Sequence, residues 1–169
     1  MAKIKHFIVA ITGTPCTGKS TLARELSLLL HAKHIDVTKF IKKSRLHEGY
    51  DSAKKAYIVD PKALNRALSG YIESQKRGIF IVDSHLSHYL SSKKVSLCIV
   101  TTCHLKILYK RLKKRGYSLP KIQENMDSEV MQVCLNEAKE LGHNVLVTDL
   151  TKNVKNTAKI LASYIKSLL

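Results

Sequence analysis

A glycine-rich segment near the N-terminus constrains the fold more than any other feature of the chain. The segment, GTPCTGKST, follows a run of β-branched apolar residues and precedes leucines at helical spacing. Gly13, four further residues, and then Gly18, Lys19 and Ser20 form the GxxxxGK[ST] pattern of a phosphate-binding loop. Glycine lets backbone N–H groups approach an anion closely, and the positive end of the following helix favours negative charge. The sequence therefore predicts a nucleotide-phosphate site between a strand and a helix.

Three side chains of this loop suit the charged parts of a bound nucleotide. Lys19 is placed to neutralise the β- and γ-phosphates of ATP, and the Ser20 hydroxyl is placed to ligate Mg²⁺. Thr21 offers a further hydroxyl within reach of the α-phosphate. The alternative interpretation, a glycine-rich turn with an incidental lysine, does not account for the strand and the helix that flank the motif.

Strand-like and helix-like segments alternate along the 169 residues. Near-continuous apolar strands between helices indicate a parallel sheet that is covered on both faces. The sequence thus predicts an α/β fold: one domain over residues 1–169, with a five-stranded parallel sheet in a three-layer α/β/α arrangement. The predicted strands are Phe7–Thr12, Ala32–Val37, Gly78–Asp83, Val95–Thr102 and Asn144–Asp149. The predicted helices are Lys19–Leu30, 61–76, Leu105–Lys114, one long helix from Ser118 and a C-terminal helix. The long helix is expected to bury Ile122, Met126, Val130 and Val133 on one face.

A second motif, VDSHLSH, begins at the last two residues of the third predicted strand. Asp83 comes after four apolar residues, which is the Walker B pattern, and such a carboxylate holds the hydration shell of Mg²⁺ beside the loop serine. A plain turn at the end of a strand would also favour aspartate. His85 is placed to orient a water molecule or a phosphate. His88 could form a metal pair with His85, but no third ligand is evident, so we predict a surface residue at the start of a helix.

A basic segment, LYKRLKKRGY, ends in a glycine-containing loop. Arginines in a loop that closes over phosphates offset the charge of a phosphoryl-transfer transition state. Because Arg115 immediately precedes the loop, we predict that role for it. For Arg111, which lies further from the loop, a solvated basic helix face stays open as the alternative.

The net charge is +16, from 29 Lys and Arg against 13 Asp and Glu. Such a field attracts polyanions, of which RNA is the obvious candidate. The alternative is a surface solvated by lysines, since the lysines are spread along the chain and no RNA-binding signature is present.

No apolar run approaches the roughly 20 residues that span a membrane. Four cysteines without CxxC spacing predict buried, reduced thiols and therefore a cytoplasmic protein. The N-terminal MAKIKH leads straight into a predicted strand, so we expect no secretory leader.

The chain resembles the adenylate kinase isoenzyme 6 type family, in its archaeal branch, over nearly its whole length. GTPCTGKST resembles the family's phosphate loop, VDSHLSH its Walker B segment, and RGYSLPKIQEN its lid. The resemblance implies the P-loop NTPase fold, with a nucleoside-monophosphate (NMP) binding region at 36–59, which contains GYD at Gly49–Asp51, and a lid at 114–124. The residues that it implies for ATP contact are Cys16, Gly18, Lys19, Ser20, Thr21 and Arg115, and those for Mg²⁺ are Ser20 and Asp83.

The resemblance also implies an activity and partners. Family members are nucleoside-monophosphate kinases that convert ATP and AMP to two ADP and also hydrolyse ATP, with Lys19, Asp83 and His85 as the corresponding catalytic residues. They act in small ribosomal subunit (30S) maturation and 16S rRNA processing by binding the ribosomal protein uS11, and rRNA contact is compatible with the positive charge.

Two departures from the family pattern keep alternative functions open. Cys16 occupies a position that is usually glycine, and the acceptor region carries Lys42, Lys43 and Arg45 instead of a single arginine. Lysine binds phosphate less well in bidentate fashion. The alternatives are an ATP-switched assembly factor with little kinase activity and a P-loop kinase of another small metabolite. A GTPase is disfavoured, because Thr151–Val154 lacks the aspartate of a guanine-reading motif.

Overall fold

A five-stranded parallel sheet forms the centre of the protein in a computed structural model that describes residues 6–52 and 56–169. The strands along the chain are β1 (His6–Gly13), β2 (Lys33–Asp36), β3 (Gly49–Asp51), β4 (Ala56–Ile58), β5 (Gly78–Asp83), β6 (Leu97–Thr102) and β7 (Val145–Asp149). The central sheet has the order β2-β5-β1-β6-β7, and β3 and β4 form a separate antiparallel pair. The predicted α/β fold with a five-stranded parallel sheet is confirmed.

Seven helices lie between or after these strands in the part of the chain that the structure describes. They are α1 (Lys19–Leu29), α2 (Val37–Ser44), α3 (Pro61–Glu73), α4 (Leu105–Lys114), α5 (Leu119–Val130), α6 (Val133–Glu140) and α7 (Val154–Ser167). A short 3-10 turn, Ser87–Tyr89, follows β5. Asp60 caps α3 by accepting hydrogen bonds from the N–H groups of Lys62 and Ala63, and Pro61 occupies the first turn. These are the residue types that favour helix N-termini.

Two apolar clusters cover the two faces of the sheet, because successive strand residues point to opposite faces. Ile8 and Ala10 of β1 belong to a cluster with α2, α3 and α6, whereas Phe7, Val9 and Ile11 belong to a cluster with α1 and α7. The helical members of the first cluster include Ile41, Leu64, Leu68, Ile72, Leu135 and Ala138, and those of the second include Leu22, Leu26, Leu161 and Ile165. The result is the predicted three-layer α/β/α arrangement.

The single long helix predicted from Ser118 is wrong. It is divided into α5 and α6 at Gln132, whose φ of 52° is left-handed. Val130, predicted on the buried face, is 62% exposed. The division has a packing reason, because α5 packs against α4, whereas α6 packs against β1, β6 and β7. A straight helix could not make both sets of contacts.

The two segments predicted as insertions lie at the same end of the sheet as the phosphate loop. Residues 36–59, apart from 53–55 outside the described part, form α2 and the β3–β4 hairpin. Residues 114–124 comprise the last residue of α4, a turn and the first half of α5. Among the described residues, no helix has the length and apolar character needed to cross a membrane.

Candidate nucleotide-binding and active site

The carboxyl ends of β1, β2 and β5 open into a cleft of about 1210 Å³. The cleft is bordered by the phosphate loop, the β3–β4 hairpin, the α4–α5 turn and α6. All the residues predicted for ATP, Mg²⁺ and catalysis line it: Cys16, Gly18, Lys19, Ser20, Thr21, Asp83, His85 and Arg115. The structure therefore brings these residues together, and their individual roles remain predictions.

The phosphate loop needs glycine at both ends for different reasons. Gly13 has a φ of 138°, and a Cβ there would collide with the backbone oxygen of Thr101. Gly18 has a φ of 118°, and a Cβ there would lie 3.2 Å from the Leu150 side chain. Among the described residues, the backbone N–H groups of Lys19 and Ser20 donate to no acceptor. Unsatisfied donors at a helix N-terminus bind anions.

The Lys19 side chain contacts the backbone of its own phosphate loop. Its Nζ donates to the carbonyl oxygens of Gly13 and Thr14, at 2.7 Å each. Burial lowers the pKa of Lys19 to about 8, and the charge of Asp83 partly opposes this shift. Phosphate oxygens entering the loop would favour the ammonium form and raise the pKa again.

Arg111 anchors the phosphate loop through hydrogen bonds to backbone carbonyl oxygens. Its Nη1 donates to the carbonyl oxygen of Thr17 at 3.0 Å, and its Nη2 donates to that of Leu150 at 3.0 Å. Weaker bonds of 3.4 and 3.3 Å reach the carbonyls of Cys16 and Thr151. Arg111 therefore connects the phosphate loop to the segment after β7. It also lines the cleft, so the lid role weighed for it stays a prediction.

Arg115 is free to reach a ligand. It is exposed, and Nη1 lies 4.0 Å from the Cys16 Sγ in the phosphate loop. Its guanidinium also lies 5.8 Å from the centre of the Tyr117 ring. Neither contact is a strong hydrogen bond, so the guanidinium can turn towards a phosphate in the cleft.

Asp83 has the environment expected of a carboxylate that holds hydrated Mg²⁺. Its side chain is 4% exposed, and Oδ2 lies 3.6 Å from Nε2 of His34. Oδ1 is buried and has no hydrogen-bond partner among the described residues. Leaving a buried carboxylate oxygen without a donor is costly, and a water molecule bound to Mg²⁺ would supply that donor. Together with the exposed Ser20 hydroxyl in the same cleft, these residues fit the ion.

Within residues 6–52 and 56–169, no group of three or more His, Cys, Asp or Glu side chains is arranged to hold a metal ion. The Mg²⁺ of a P-loop enzyme needs no such group, because phosphate oxygens and water complete its coordination.

His85 faces the cleft beyond the end of β5. Its side chain is exposed to the cleft. Desolvation of the ring by the cleft walls is nevertheless the main cause that lowers the pKa of His85 to about 4. The positive charge of Lys19 is the second cause. The imidazole is therefore neutral at physiological pH and can accept a proton or orient a water molecule.

The prediction that His88 is a surface residue is wrong. Its side chain is 1% exposed, with Nδ1 2.7 Å from Oγ1 of Thr12 and Nε2 3.0 Å from Oε2 of Glu137. The Tyr89 hydroxyl donates to the other carboxylate oxygen of Glu137 at 3.3 Å. The 3-10 turn after β5 folds the histidine inward, and the resulting network ties β1 to α6.

Comparison with known proteins identifies the family. A family model described as an AAA domain matches residues 9–132. An adenylate kinase isoenzyme 6 homolog from Schizosaccharomyces pombe is 38% identical over 143 residues, which cover 84% of this chain and 79% of that protein. A homolog of the same name from Dictyostelium discoideum is 35% identical over 142 residues, with the same two coverages. The chain belongs to the adenylate kinase isoenzyme 6 type family.

Solved structures of P-loop kinases share the fold at low sequence identity. Shikimate kinase from Acinetobacter baumannii in complex with shikimate superposes with a TM-score of 0.64 at 12% identity, covering 98% of this chain and 96% of that one. Deoxyadenosine kinase from M. mycoides gives a TM-score of 0.60 at 16% identity, covering 96% and 100%. At 12% and 16% identity, these similarities show the fold alone.

Cys16, at a position for which the resemblance implies glycine, has a strained backbone. Cys16 has a φ of 69°, in the left-handed region that glycine adopts without a steric penalty. Its thiol is half-buried in the cleft and packs against the cluster of Cys103, Leu108 and Leu112. All four cysteines are free; Cys98 and Cys103 are buried as predicted, but Cys16 and Cys134 are half-buried and line the cleft.

The basic residues singled out as acceptor-binding candidates lie outside this cleft. Lys42, Lys43 and Arg45 are exposed at the C-terminal end of α2, whereas Lys39 in its first turn lines the cleft. The sequence did hold a signal, because Lys39 lies three residues after Asp36, the capping residue at the carboxyl end of β2. Tyr50 and Tyr57, which also line the cleft, lie within the predicted NMP-binding region at 36–59. Lining residues that sequence reasoning missed are Arg24, Asn125, Cys134 and Glu137.

Proposed function

We propose that this protein is an ATP- and Mg²⁺-dependent phosphotransferase that converts ATP and AMP to two ADP and also hydrolyses ATP. One observation carries the proposal: the phosphate loop with Lys19, the Asp83 carboxylate, whose buried Oδ1 has no hydrogen-bond partner in the described part of the chain, and His85 all face one cleft. Membership of the adenylate kinase isoenzyme 6 type family supports the same reaction class.

The chain's own residues divide the work of phosphoryl transfer. Lys19 exchanges its two carbonyl contacts for phosphate oxygens, and the free N–H groups at the start of α1 hold the same phosphates. Ser20 and Asp83 would hold Mg²⁺, which would supply positive charge against the charge on the β- and γ-phosphates. Arg115 offsets charge on the transferring group from the α4–α5 turn. His85 orients water for hydrolysis or contacts the acceptor phosphate.

The acceptor assignment rests on an aromatic pair in the hairpin. The rings of Tyr50 and Tyr57 lie 5.2 Å apart at 68°, and both residues line the cleft. Tyr50 is 53% exposed, so its free face can stack on a base. Stacking of a base on an aromatic ring is worth roughly 1–3 kcal/mol. An acceptor with a nucleobase and a phosphate, which Lys39 can contact, uses this arrangement better than a small hydroxy acid.

An acceptor screen tests the proposal. ATP labelled in the γ-phosphate is incubated with AMP, other nucleoside monophosphates and shikimate. We expect the parent protein to transfer phosphate to AMP. Tyr50→Ala should raise the KM for AMP by about 5-fold or more and leave ATP hydrolysis unchanged. Lys19→Ala should lose both transfer and hydrolysis. Transfer to a non-nucleotide acceptor alone would contradict the acceptor assignment, and full activity of Lys19→Ala would contradict the site.

We also propose that the protein acts in the cytoplasm in 30S maturation and 16S rRNA processing, through the ribosomal protein uS11. Family resemblance and the net charge of +16 support this role. An ATP-switched assembly factor with little kinase activity is the second candidate, favoured by the position of the exposed Lys42, Lys43 and Arg45 outside the cleft. Co-purification with uS11 in ATP, in ADP and without nucleotide tests both candidate functions. Both predict a complex with uS11, and the ATP-switched assembly factor also predicts that the complex depends on the nucleotide. Absence of the complex in every state would contradict both.

A further inference from the structure

Helix α4 presents a basic face that points away from the nucleotide cleft. Lys106, Tyr109, Lys110 and Lys113 are all exposed. At 3.6 residues per turn they fall within an arc of about 100° on the helix surface. Leu108, on the other side of the helix, is fully buried. We call these four residues the α4 basic face, and none of them lines the cleft.

The charge of the α4 basic face has no compensation. Within residues 6–52 and 56–169, no ion pair or side-chain hydrogen bond involves Lys106, Lys110 or Lys113. Helix α4 itself, with the sequence LKILYKRLKK, contains no acidic residue. Three lysines held close together without counter-charges favour a polyanionic partner.

The acidic side chains on the elements next to α4 are already engaged. Glu124 of α5 pairs with Lys121 at 2.9 Å, and Asp127 accepts from Gln123 at 2.8 Å. Asp149 at the end of β7 accepts from the N–H of Thr151, and Glu129 accepts from that of Cys103. These carboxylates serve local contacts, so the lysines remain available to an external anion.

Tyr109 distinguishes between classes of polyanion. Its ring is 41% exposed and lies among the three lysines on the same face. A helix that inserts into a membrane surface needs a continuous apolar face, and the apolar residues Leu108 and Leu112 of α4 are buried in the protein instead. Lysines that contact phosphates and an aromatic ring that stacks on a base form the usual combination for single-stranded nucleic acid.

We infer that the α4 basic face binds single-stranded RNA, with the lysines on successive phosphates and Tyr109 stacked on an unpaired base. Because the face lies outside the cleft, RNA binding does not depend on the proposed kinase chemistry. It extends the proposed role in ribosome assembly by giving the protein its own contact with unpaired RNA.

Fluorescence anisotropy with a labelled oligoribonucleotide of about 12 nucleotides, within the usual range of site sizes, tests the electrostatic part. The variant carries Lys106→Gln, Lys110→Gln and Lys113→Gln. Each lost phosphate contact reduces the slope of log affinity against log salt by about 0.7 for a single strand. We therefore expect the slope to fall by about 2 and ATP hydrolysis to remain unchanged.

A matched variant on α7 provides the control. Lys155, Lys159 and Lys166 are also exposed and have no ion pair in the described part of the chain. Their replacement by glutamine changes the net charge equally. We expect a small, unspecific loss of affinity from this control. An equal loss from the two triple variants would overturn the assignment to α4, because it would show that binding follows net charge alone.

Substitution of Tyr109 tests the stacking part. Tyr109→Ser should weaken binding by roughly 5- to 100-fold, as expected for the loss of one stacked base, without changing the salt slope. Tyr109→Phe should bind like the parent. Unchanged affinity of Tyr109→Ser would overturn base stacking. Binding to phosphatidylserine vesicles that requires the α4 basic face, together with no RNA binding at low salt, would overturn the choice of partner.

Discussion

Cys16 shows how one residue can carry strain within a phosphate loop. A left-handed conformation costs a residue with a side chain roughly 1–2 kcal/mol, and glycine loses about 0.5–1 kcal/mol more entropy on folding. We therefore predict that Cys16→Gly leaves the free energy of unfolding unchanged or raises it by up to about 1 kcal/mol. Cys16→Val should lower it by at least ~1 kcal/mol, because a branched Cβ tolerates positive φ poorly. Urea denaturation of both variants measures this, and the reverse order would contradict the observed φ of 69°.

His85 offers a test of the electrostatics of the cleft. Its pKa is lowered to about 4 in the nucleotide-free protein, below its ordinary value of 6.5. Since the unfolded chain takes up this proton first, the stability contributed by neutral His85 is lost as the pH falls from 6.5 towards 4. We predict an NMR titration midpoint for His85 near 4 without nucleotide and a higher midpoint with Mg-ADP, whose phosphates favour the charged ring. A midpoint near 6.5 in the nucleotide-free protein would show that the ring is fully solvated.

Individual site residues differed in how far the sequence could predict them. The loop residues follow from fixed spacing within a strand–turn–helix unit, and Asp83 follows from its position at the end of an apolar strand. The structure brings them together in one cleft, and their roles stay predictions. His88 could not be predicted, because its partners Thr12 and Glu137 are 76 and 49 residues away along the chain. Lys39 lay among other lysines, and only the capping of α2 by Asp36 shows which of them reaches the cleft.

Elements were predictable where one local pattern determines them. Strand Gly78–Asp83 and helix Leu105–Lys114 have the bounds expected from the sequence, since the first is a continuous apolar run and the second has one apolar stripe. The division between α5 and α6 was not predictable, because neither glycine nor proline marks Gln132. It arises from the different surfaces that the two helices cover.

Helix α4 contributes stability through Arg111. Its guanidinium donates to four carbonyl oxygens in two separate segments, and hydrogen bonds from a charged group are worth roughly 1.5–3 kcal/mol. We predict that Arg111→Met lowers the free energy of unfolding by about that amount and also weakens ATP binding, because the phosphate loop loses its anchor. Lys110→Met on the exposed side of the same helix is the matched control and should change stability by less than ~0.5 kcal/mol. Equal stability of the two variants, measured by denaturation, would show that the anchor is not needed.

The whole molecule combines a nucleotide cleft at the carboxyl end of the sheet with a strongly basic surface. The fold positions the phosphate loop, Asp83 and the β3–β4 hairpin around one cavity, which is the usual location of ligands in open parallel sheets. The net charge of +16 lies largely outside this cavity, for example on α4 and α7. Catalysis and attachment to a polyanion can therefore use separate surfaces of the same domain.

The stoichiometry of ATP consumption, measured with and without AMP, decides whether the cleft transfers phosphate to a nucleotide. Transfer to AMP yields two ADP and no phosphate for each ATP, whereas hydrolysis yields one ADP and one phosphate. We predict that AMP raises the ratio of ADP formed to ATP consumed towards two and suppresses phosphate release, and that Lys19→Ala abolishes consumption under both conditions. A ratio that stays at one, with phosphate equal to the ATP consumed at every AMP concentration, would contradict the proposed kinase activity.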